Sequence, residues 1–359
     1  MRARHRTVII LGILVAVIVF ALVVAGCGGT TTTTAPPTSG ASSTETTAAE
    51  TTTTAANTTT VAAKTYKIGI TQIVTHPALD AVVAGFIEAL TQAGYVEGKN
   101  VTYDKQNAQG EMANASAIAQ KFVGDKVDLI LSVATPTSQA AVKATTSIPI
   151  VFGAVTDPVA AGLVQNAEAP EANVTGVSDM LPVQPHLDLI MQLVPGAKTI
   201  GLLYNAGETN SVSLVEKEKA AAAAMGLKIV EATAANSSEV LAAAQSLVGR
   251  VDAISVLTDN TVVSALESVV KVCQDNKIPL IAGDIDSVKA GAVAAYAFDY
   301  KDHGVQAGKV AVQVLEGTPI AKIPVQYAQN LQLAINMAAA TAMGVTIPDA
   351  LKAKANTTF

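Results

Sequence analysis

Residues 127–158 read VDLILSVATPTSQAAVKATTSIPIVFGAVTDP. Two short apolar runs, 129–133 and 148–151, are each bounded by turn residues, and a helical segment at 138–144 lies between them. Continuous Val/Ile/Leu runs of this length are the pattern of strands buried on both faces of a parallel sheet. After each run the chain turns polar: Ala134-Thr135-Pro136-Thr137-Ser138 after the first, Ala154-Val155-Thr156-Asp157-Pro158 after the second. In an open α/β sheet, ligands bind outside the carboxyl ends of the strands. Both polar loops are therefore expected on one rim of a cleft, with the rest of the chain supplying the other rim.

Working outward, the same alternation continues in both directions. Upstream, 66–70 reads as a strand, 77–93 as an amphipathic helix stopped by Gly94, 101–106 as a strand and 111–126 as a helix. Downstream come a strand at 174–177 and a helix at 184–194, closed by Pro195-Gly196. The cycle then restarts. Strands are expected at 199–203, 227–232, 253–257, 280–282 and 293–297, separated by helices at 212–225, 238–249 and 262–276. A helix at 301–315, an apolar run at 331–335 and a short helix at 337–343 complete the chain. Strands alternating with helices throughout define an α/β protein with parallel sheets. Two successive cycles predict two Rossmann-like, doubly wound lobes, a duplication of architecture without a shared sequence motif.

The N-terminus has a different character. Residues 1–26 combine Arg2, Arg4 and Arg6 with an apolar run at 8–24, the pattern of a secretory signal. The end, Val24-Ala25-Gly26-Cys27, resembles the bacterial lipobox, which implies cleavage before Cys27 and lipid on that residue. An uncleaved transmembrane anchor is the other reading, because the apolar run is nearly long enough to span. Residues 27–64 are almost entirely Thr, Ala, Ser, Gly and Pro, with too little apolar surface to offset the entropy of ordering. They read as a tether that lifts a folded domain off a membrane, or as a glycosylated stalk.

Composition removes other classes. Of 359 residues half are hydrophobic, 14% are charged and none is Trp; the formal charge is −6, and −9 once the leader arginines are removed. An acidic mature chain offers no basic patch to displace phosphate counterions, so no nucleic-acid partner is expected. Cys273 is the only thiol besides Cys27, which leaves no disulfide within the mature fold. On its helix Cys273 reads as a small core hydrophobe. His5, His76, His186 and His303 lie far apart, show no metal-ligand spacing, and predict no metal. No G-x-G-x-x-G follows the first strand, and no P-loop or G-x-S-x-G elbow occurs. No cofactor and no catalytic activity are expected.

Eight stretches, in order, carry a family resemblance: KIGITQIVTHPALDAVVAGFIEAL, GYVEGKNVTYDKQNAQGE, DLILSVATPTSQAA, PIVFGAVTDPVAAGLV, NVTGVSDMLPV, KTIGLLYNAGETNS, VDAISVLTDNTVVSALE and YAFDYKDHGVQAGKVAVQVLEG. Together they resemble the substrate-binding lipoproteins of ABC importers, in the branch that includes binders of tryptophan and other aromatic amino acids. The resemblance implies a type I periplasmic-binding fold, two lobes joined by a three-segment hinge and closing over a ligand. It implies a first lobe of 66–180 with 288–318, and a second of 181–287 with 319–359. It also implies a monomer that passes an amino acid to permease and ATPase subunits. A ligand-sensing ectodomain of the same fold, presenting a small solute to a signalling partner, is the alternative.

A cleft for a free amino acid must meet a carboxylate with hydroxyls, backbone N–H groups or a helix N-terminus, and an ammonium with a carboxylate and neutral acceptors. Thr135, Thr137 and Ser138 precede the helix at Gln139. The resemblance favours the ligand carboxylate there, against an ordinary N-cap by Thr137 or Ser138. Thr156 and Asp157 fit the same rim, or form a turn before Pro158. On the second lobe Asp259 and Asn260 follow one strand, and Asp284 and Asp286 follow another. Asp259 is the preferred partner for the ammonium, with an N-cap before Val262 as its other reading. Asn205 and Asn210 belong to a third loop with Ser211, where Glu208 is expected to face solvent. Gln72 to His76 would close over the ligand, with His76 read as a turn residue. Tyr204 and Phe152, both at strand ends, are candidate stacking aromatics, although core packing suits Phe152.

Overall fold

The computed structural model describes residues 64–170 and 173–359. The leader, Cys27 and all but the last residue of the expected tether lie outside the described residues. Among the described residues no helix is long and apolar enough to cross a membrane.

In the first part of the chain β1 (Tyr66–Gln72) leads into α1 (Pro77–Gln92) and β2 (Val101–Asn107) into α2 (Met112–Gly124). β3 (Leu129–Val133) leads into α3 (Thr135–Ala144), and β4 (Ile150–Val155) and β5 (Val174–Ser178) follow. The second cycle runs α4 (Val183–Leu193), β6 (Thr199–Tyr204), α5 (Thr209–Ala224), β7 (Lys228–Thr233), α6 (Val240–Ser246) and β8 (Ala253–Val256). It continues through α7 (Asn260–Ser264), α8 (Leu266–Asn276), β9 (Leu280–Ala282), α9 (Ile285–Lys289) and β10 (Ala294–Ala297). The chain ends with α10 (Tyr300–Leu315), β11 (Gln326–Tyr327), β12 (Gln332–Ile335), α11 (Met337–Met343), α12 (Asp349–Lys352) and β13 (Thr357–Thr358).

The strand orders make the duplication plain. The first sheet runs β11-β5-β4-β3-β1-β2 and the second β13-β12-β10-β9-β8-β6-β7. Both contain the doubly wound order 2-1-3-4-5, in which the chain reverses between the first and third strands of the cycle. That reversal opens a crevice beside β1 and β3 in one lobe and beside β6 and β8 in the other. All pairings are parallel except β10 with β12. Strands buried on both faces account for the apolar runs: Leu129, Ile130 and Leu131 of β3 and Ile150, Val151 and Phe152 of β4 are fully covered.

Three segments cross between the lobes, at 179–182, 298–299 and 328–331. Two boundaries differ from those expected. β10 pairs with β9 and β12, so 288–297 belongs to the second lobe and the chain returns only at Phe298. β11 pairs with β5, so the first lobe extends beyond 318 to Tyr327. A strand belongs to the sheet that satisfies its backbone groups, and no periodicity reports which sheet that is.

α10 returns to lie on α1, and glycine permits the approach. A Cβ on Gly85 would run into the Lys301 carbonyl, one on Gly304 into the Val82 carbonyl, and one on Gly308 would lie 2.6 Å from the Ala89 Cβ. Backbone thus meets backbone along this seam, which sets the height of α10 over the ends of β4 and β5.

Candidate functional site

Between the lobes, at the carboxyl ends of both sheets, lies a narrow cavity of about 20 Å³. The first lobe lines it with His76, Ala78 and Leu79 at the start of α1, with Ala154 and Thr156 at the end of β4, and with Tyr300 of α10. Asp179 contributes from the first crossing segment. The second lobe supplies Asn210, Thr258, Asp259, Asn260, Val263 and Asp284. Three carboxylates face this space, and no Lys or Arg lines it.

The first-lobe wall is a network built on α10. Tyr300 Oη donates to Asp179 Oδ2 at 2.6 Å, and Thr156 Oγ1 donates to Asp179 Oδ1 at 2.9 Å. One turn further, His303 Nε2 accepts the Ala154 N–H at 2.8 Å. Ala154 has φ 53°, and the register of β4 against β5 shifts between Phe152 and Val155. A left-handed alanine in a strand persists only where its surroundings hold it. Here the imidazole of His303 does so, and burial lowers the pKa of that ring.

The second-lobe wall is held by two acids that also cap a helix. Asp259 Oδ1 accepts the Val262 N–H at 2.7 Å, while its Oδ2 accepts the Asn205 N–H and the Ser211 hydroxyl, each at 2.6 Å. Glu208 takes the N–H groups of Asn260 and Thr261, the Thr261 hydroxyl and the side-chain amides of Asn210 and Asn260. The expected single helix breaks at Ala265 into α7 and α8, and these two carboxylates clamp the start of α7. Glu208 is buried rather than solvent-facing. Burial, with the Glu208 charge beside it, pushes the Asp259 pKa up. Asp284 caps α9 through the Ser287 N–H and hydroxyl, and burial raises its pKa to about 6.

Of the residues read as site candidates, Thr156, Asn210, Asp259, Asn260 and Asp284 line the cavity. Asp259 lines it as the N-cap of α7 and accepts three hydrogen bonds from its own lobe, two of them on Oδ2, so it has less accepting capacity left for an ammonium than Asp179, which accepts one on each oxygen. Thr135, Thr137 and Ser138 do not line it. α3 starts at Thr135, three residues early, because Ala134 turns at φ 80° straight out of β3. Their side chains are therefore in the first helical turn, where Thr137 donates to Val133 O and Ser138 to Ala134 O. Thr135 Oγ1 is buried without a partner among the described residues. Gln72 braces the loop ahead of α1, donating to Val74 O and Asp80 Oδ1 at 2.7 Å. Asp157 points across to the other lobe, accepting from Ser213 Oγ at 2.9 Å and Lys217 Nζ at 3.3 Å. Tyr204 donates to Glu231 at 2.7 Å on the β6–β7 edge, and Phe152 is wholly in the core, so neither stacks in the cleft. Asn205 lies in a wider neighbouring groove, where its side chain donates to Thr261.

The residues missed are His76, Asp179, Tyr300 and Thr258. Asp179 carries the signal used for the others, an acid directly after a strand. Tyr300 carries none, because only the return of α10 brings it to the cleft. Cys273 is a buried core thiol, as read, and among the described residues no group of His, Cys, Asp and Glu is placed to hold a metal ion.

Two doubly wound lobes, three crossings and a polar cleft at facing switch points define a bilobed binding protein of the type I periplasmic-binding fold. The model of the ABC transporter substrate binding protein family matches residues 67–359, and the chain belongs to that family. It is 46% identical over 273 residues, 76% of this chain and 79% of the relative, to a tyrosine-binding protein of Clostridioides difficile. An ABC domain from Streptococcus pneumonia solved with L-Trp is 35% identical, with TM-score 0.80 over 82% of this chain and all of that one. A ligand-free, open substrate binding protein with adhesive properties from Clostridium difficile is 42% identical, yet superposes with TM-score only 0.63 over 81% of this chain and 98% of that one. In this chain the lobes touch across the cleft, where the Thr156 and Thr258 hydroxyls lie 3.3 Å apart.

Proposed function

We propose that this substrate-binding protein is an extracytoplasmic, lipid-anchored receptor that captures an aromatic amino acid between its lobes and delivers it to a membrane permease driven by an ATPase. The observation that carries this reading is the cavity itself. It lies between the lobes, among the described residues it is lined by three carboxylates and no Lys or Arg, and it belongs to a chain 46% identical to a protein named for tyrosine binding. Such a wall suits an ammonium-bearing solute. Asp179 and Asn210 are the partners we assign to the ammonium. Asp179 is held from behind by two hydroxyls, and Asn210 Oδ1 is buried with no partner among the described residues. Asp284 faces the same space. Leu79, Ala154 and Val263 give the side chain an apolar seat. A ligand bridging both rims makes more contacts in the closed form than in the open one and so shifts the population toward closure.

A thermal-shift panel of all amino acids and several other solutes on a chain beginning at Lys64, where the described residues start, tests this. A ligand at a hundred times its Kd adds about 2.7 kcal/mol, enough to move the midpoint by several degrees. With no Trp in the chain, binding of tryptophan is directly visible by its own fluorescence. A shift confined to tyrosine, phenylalanine or tryptophan supports the assignment, whereas a shift with a sugar alone overturns it.

A further inference from the structure

His76 occupies the N-cap position of α1, 8% exposed, and lines the cavity with neither ring nitrogen hydrogen-bonded among the described residues. Leaving a buried polar atom unmatched costs about 1–3 kcal/mol, and this ring leaves two. The main chain beside it is equally open. Asp80 N–H returns to His76 O at 3.1 Å, Pro77 has no N–H, and no hydrogen bond among the described residues engages the N–H of Ala78 or Leu79. α1 is 16 residues long, and its unmatched first turn faces the cavity with the positive end of the helix dipole.

The remaining polar wall is spent or of the wrong sign. Tyr300 and Thr156 hydroxyls are given to Asp179, and the Asn210 amide is given to Glu208 and Thr258. Asp179, Asp284 and Asn210 Oδ1 can only accept. A zwitterion needs donors for its carboxylate, and the start of α1 is where uncommitted donors gather. We propose that the ligand's carboxylate is seated at the N-terminus of α1 by the His76 ring N–H and the main-chain N–H groups of Ala78 and Leu79, rather than on α3. This rests on the amino-acid reading above. Burial lowers the His76 pKa to about 4, against weaker upward pulls from the Asn260 side chain, which lies beside the ring without meeting hydrogen-bond geometry, and from Asp80, so the ring enters the site neutral, with one N–H to donate. His76 is then the side chain that distinguishes an amino acid from the corresponding amine.

The test pairs ligands with variants. Tyrosine, phenylalanine and tyramine are titrated calorimetrically against the wild-type protein, His76→Phe and His76→Asn. His76→Phe should weaken tyrosine and phenylalanine alike by about 10- to 100-fold, the range for a hydrogen bond to a charged group. It should leave tyramine unchanged, and His76→Asn, which keeps an N–H, should recover part of the loss. Equal loss for tyramine, or no loss for any ligand, overturns the assignment. Loss for tyrosine without loss for phenylalanine overturns it too, placing His76 on the phenol instead. Should the variants fold poorly, ¹⁵N-histidine spectra of the wild-type protein decide. His76 signals that shift with tyrosine and phenylalanine alike support the proposal, and signals that shift with tyrosine alone, or not at all, defeat it. If the wild-type protein binds neither amino acid, the amino-acid reading itself falls, which the wild-type titration shows separately.

Discussion

Glu218 of α5 is wholly buried, and among the described residues no positive partner is in contact with it at neutral pH. Ser255 Oγ lies 3.3 Å from its Oε2 and 2.8 Å from His186 Nε2, and the imidazole is 3.8 Å from its Oε1. Burial raises the Glu218 pKa to about 7 and lowers that of His186 to about 4. The two have opposite linkage. A carboxyl with a raised pKa adds stability that is full below its unfolded value of 4.5 and is lost as pH rises through about 7. A histidine with a lowered pKa adds stability that is full above 6.5 and is lost as pH falls toward 4. Glu218→Gln keeps the shape and removes the first effect alone. Its melting temperature should decline less than the parent's between pH 5 and pH 8, the remaining decline belonging to Asp259 and Asp284, with a gain of about 3 kcal/mol at most at pH 8. Parallel curves would mean Glu218 is already ionised at pH 5. At this same scale, the site was half legible. Thr156, Asn260 and Asp284, which line the cavity, were candidates because position at a strand end is visible in a linear pattern, and Asn210 because it belongs to the polar stretch after one. The direction of a carboxylate is not visible there. Asp259 sits at such a strand end with both oxygens turned to donors of its own lobe.

The seam between α1 and α10 is the element on which the cleft depends. Both helices were legible as periodic segments, but their pairing was not, since it needs two glycines 219 positions apart in the chain, Gly85 and Gly304, to meet. Gly304→Val places a branched side chain against the Val82 carbonyl. Overpacking of this kind costs about 1–3 kcal/mol or more. Because Tyr300 and His303 ride on the same helix, ligand affinity should fall with it. Thermal melting and calorimetry on one preparation check both; loss of stability with unaltered affinity would separate the helix from the site. α3 shows the opposite limit. Its polar start, Thr135-Pro136-Thr137-Ser138, reads as a loop by composition, yet a buried helical turn absorbs it because each hydroxyl can satisfy a carbonyl one turn back.

At the level of the whole molecule, closure is held by few contacts. Asp157 accepts from Ser213 and Lys217 across the lobes, and Gln139 lies 3.4 Å from Thr209. Lys217 is 46% exposed, so the ion pair contributes about 0.2–1 kcal/mol and is screened by salt. Asp157→Ala should therefore shift the ligand-free protein toward open forms and weaken ligand binding by about two- to fivefold, with high salt mimicking part of the effect on the parent. Small-angle scattering with and without ligand reads this directly, and identical ligand-free curves for the two proteins would refute the latch. The α/β class, the two doubly wound cycles and the strand-end rims follow from the sequence alone, because period and strand-end position are local properties that survive in a string of letters. Which lobe β10 and β11 join, that Asp259 and Glu208 face inward, and that His76, Asp179 and Tyr300 share one cavity were decided only by the tertiary structure. Those facts depend on which distant backbone and side-chain groups satisfy one another, and that pairing exists only once the chain has closed on itself.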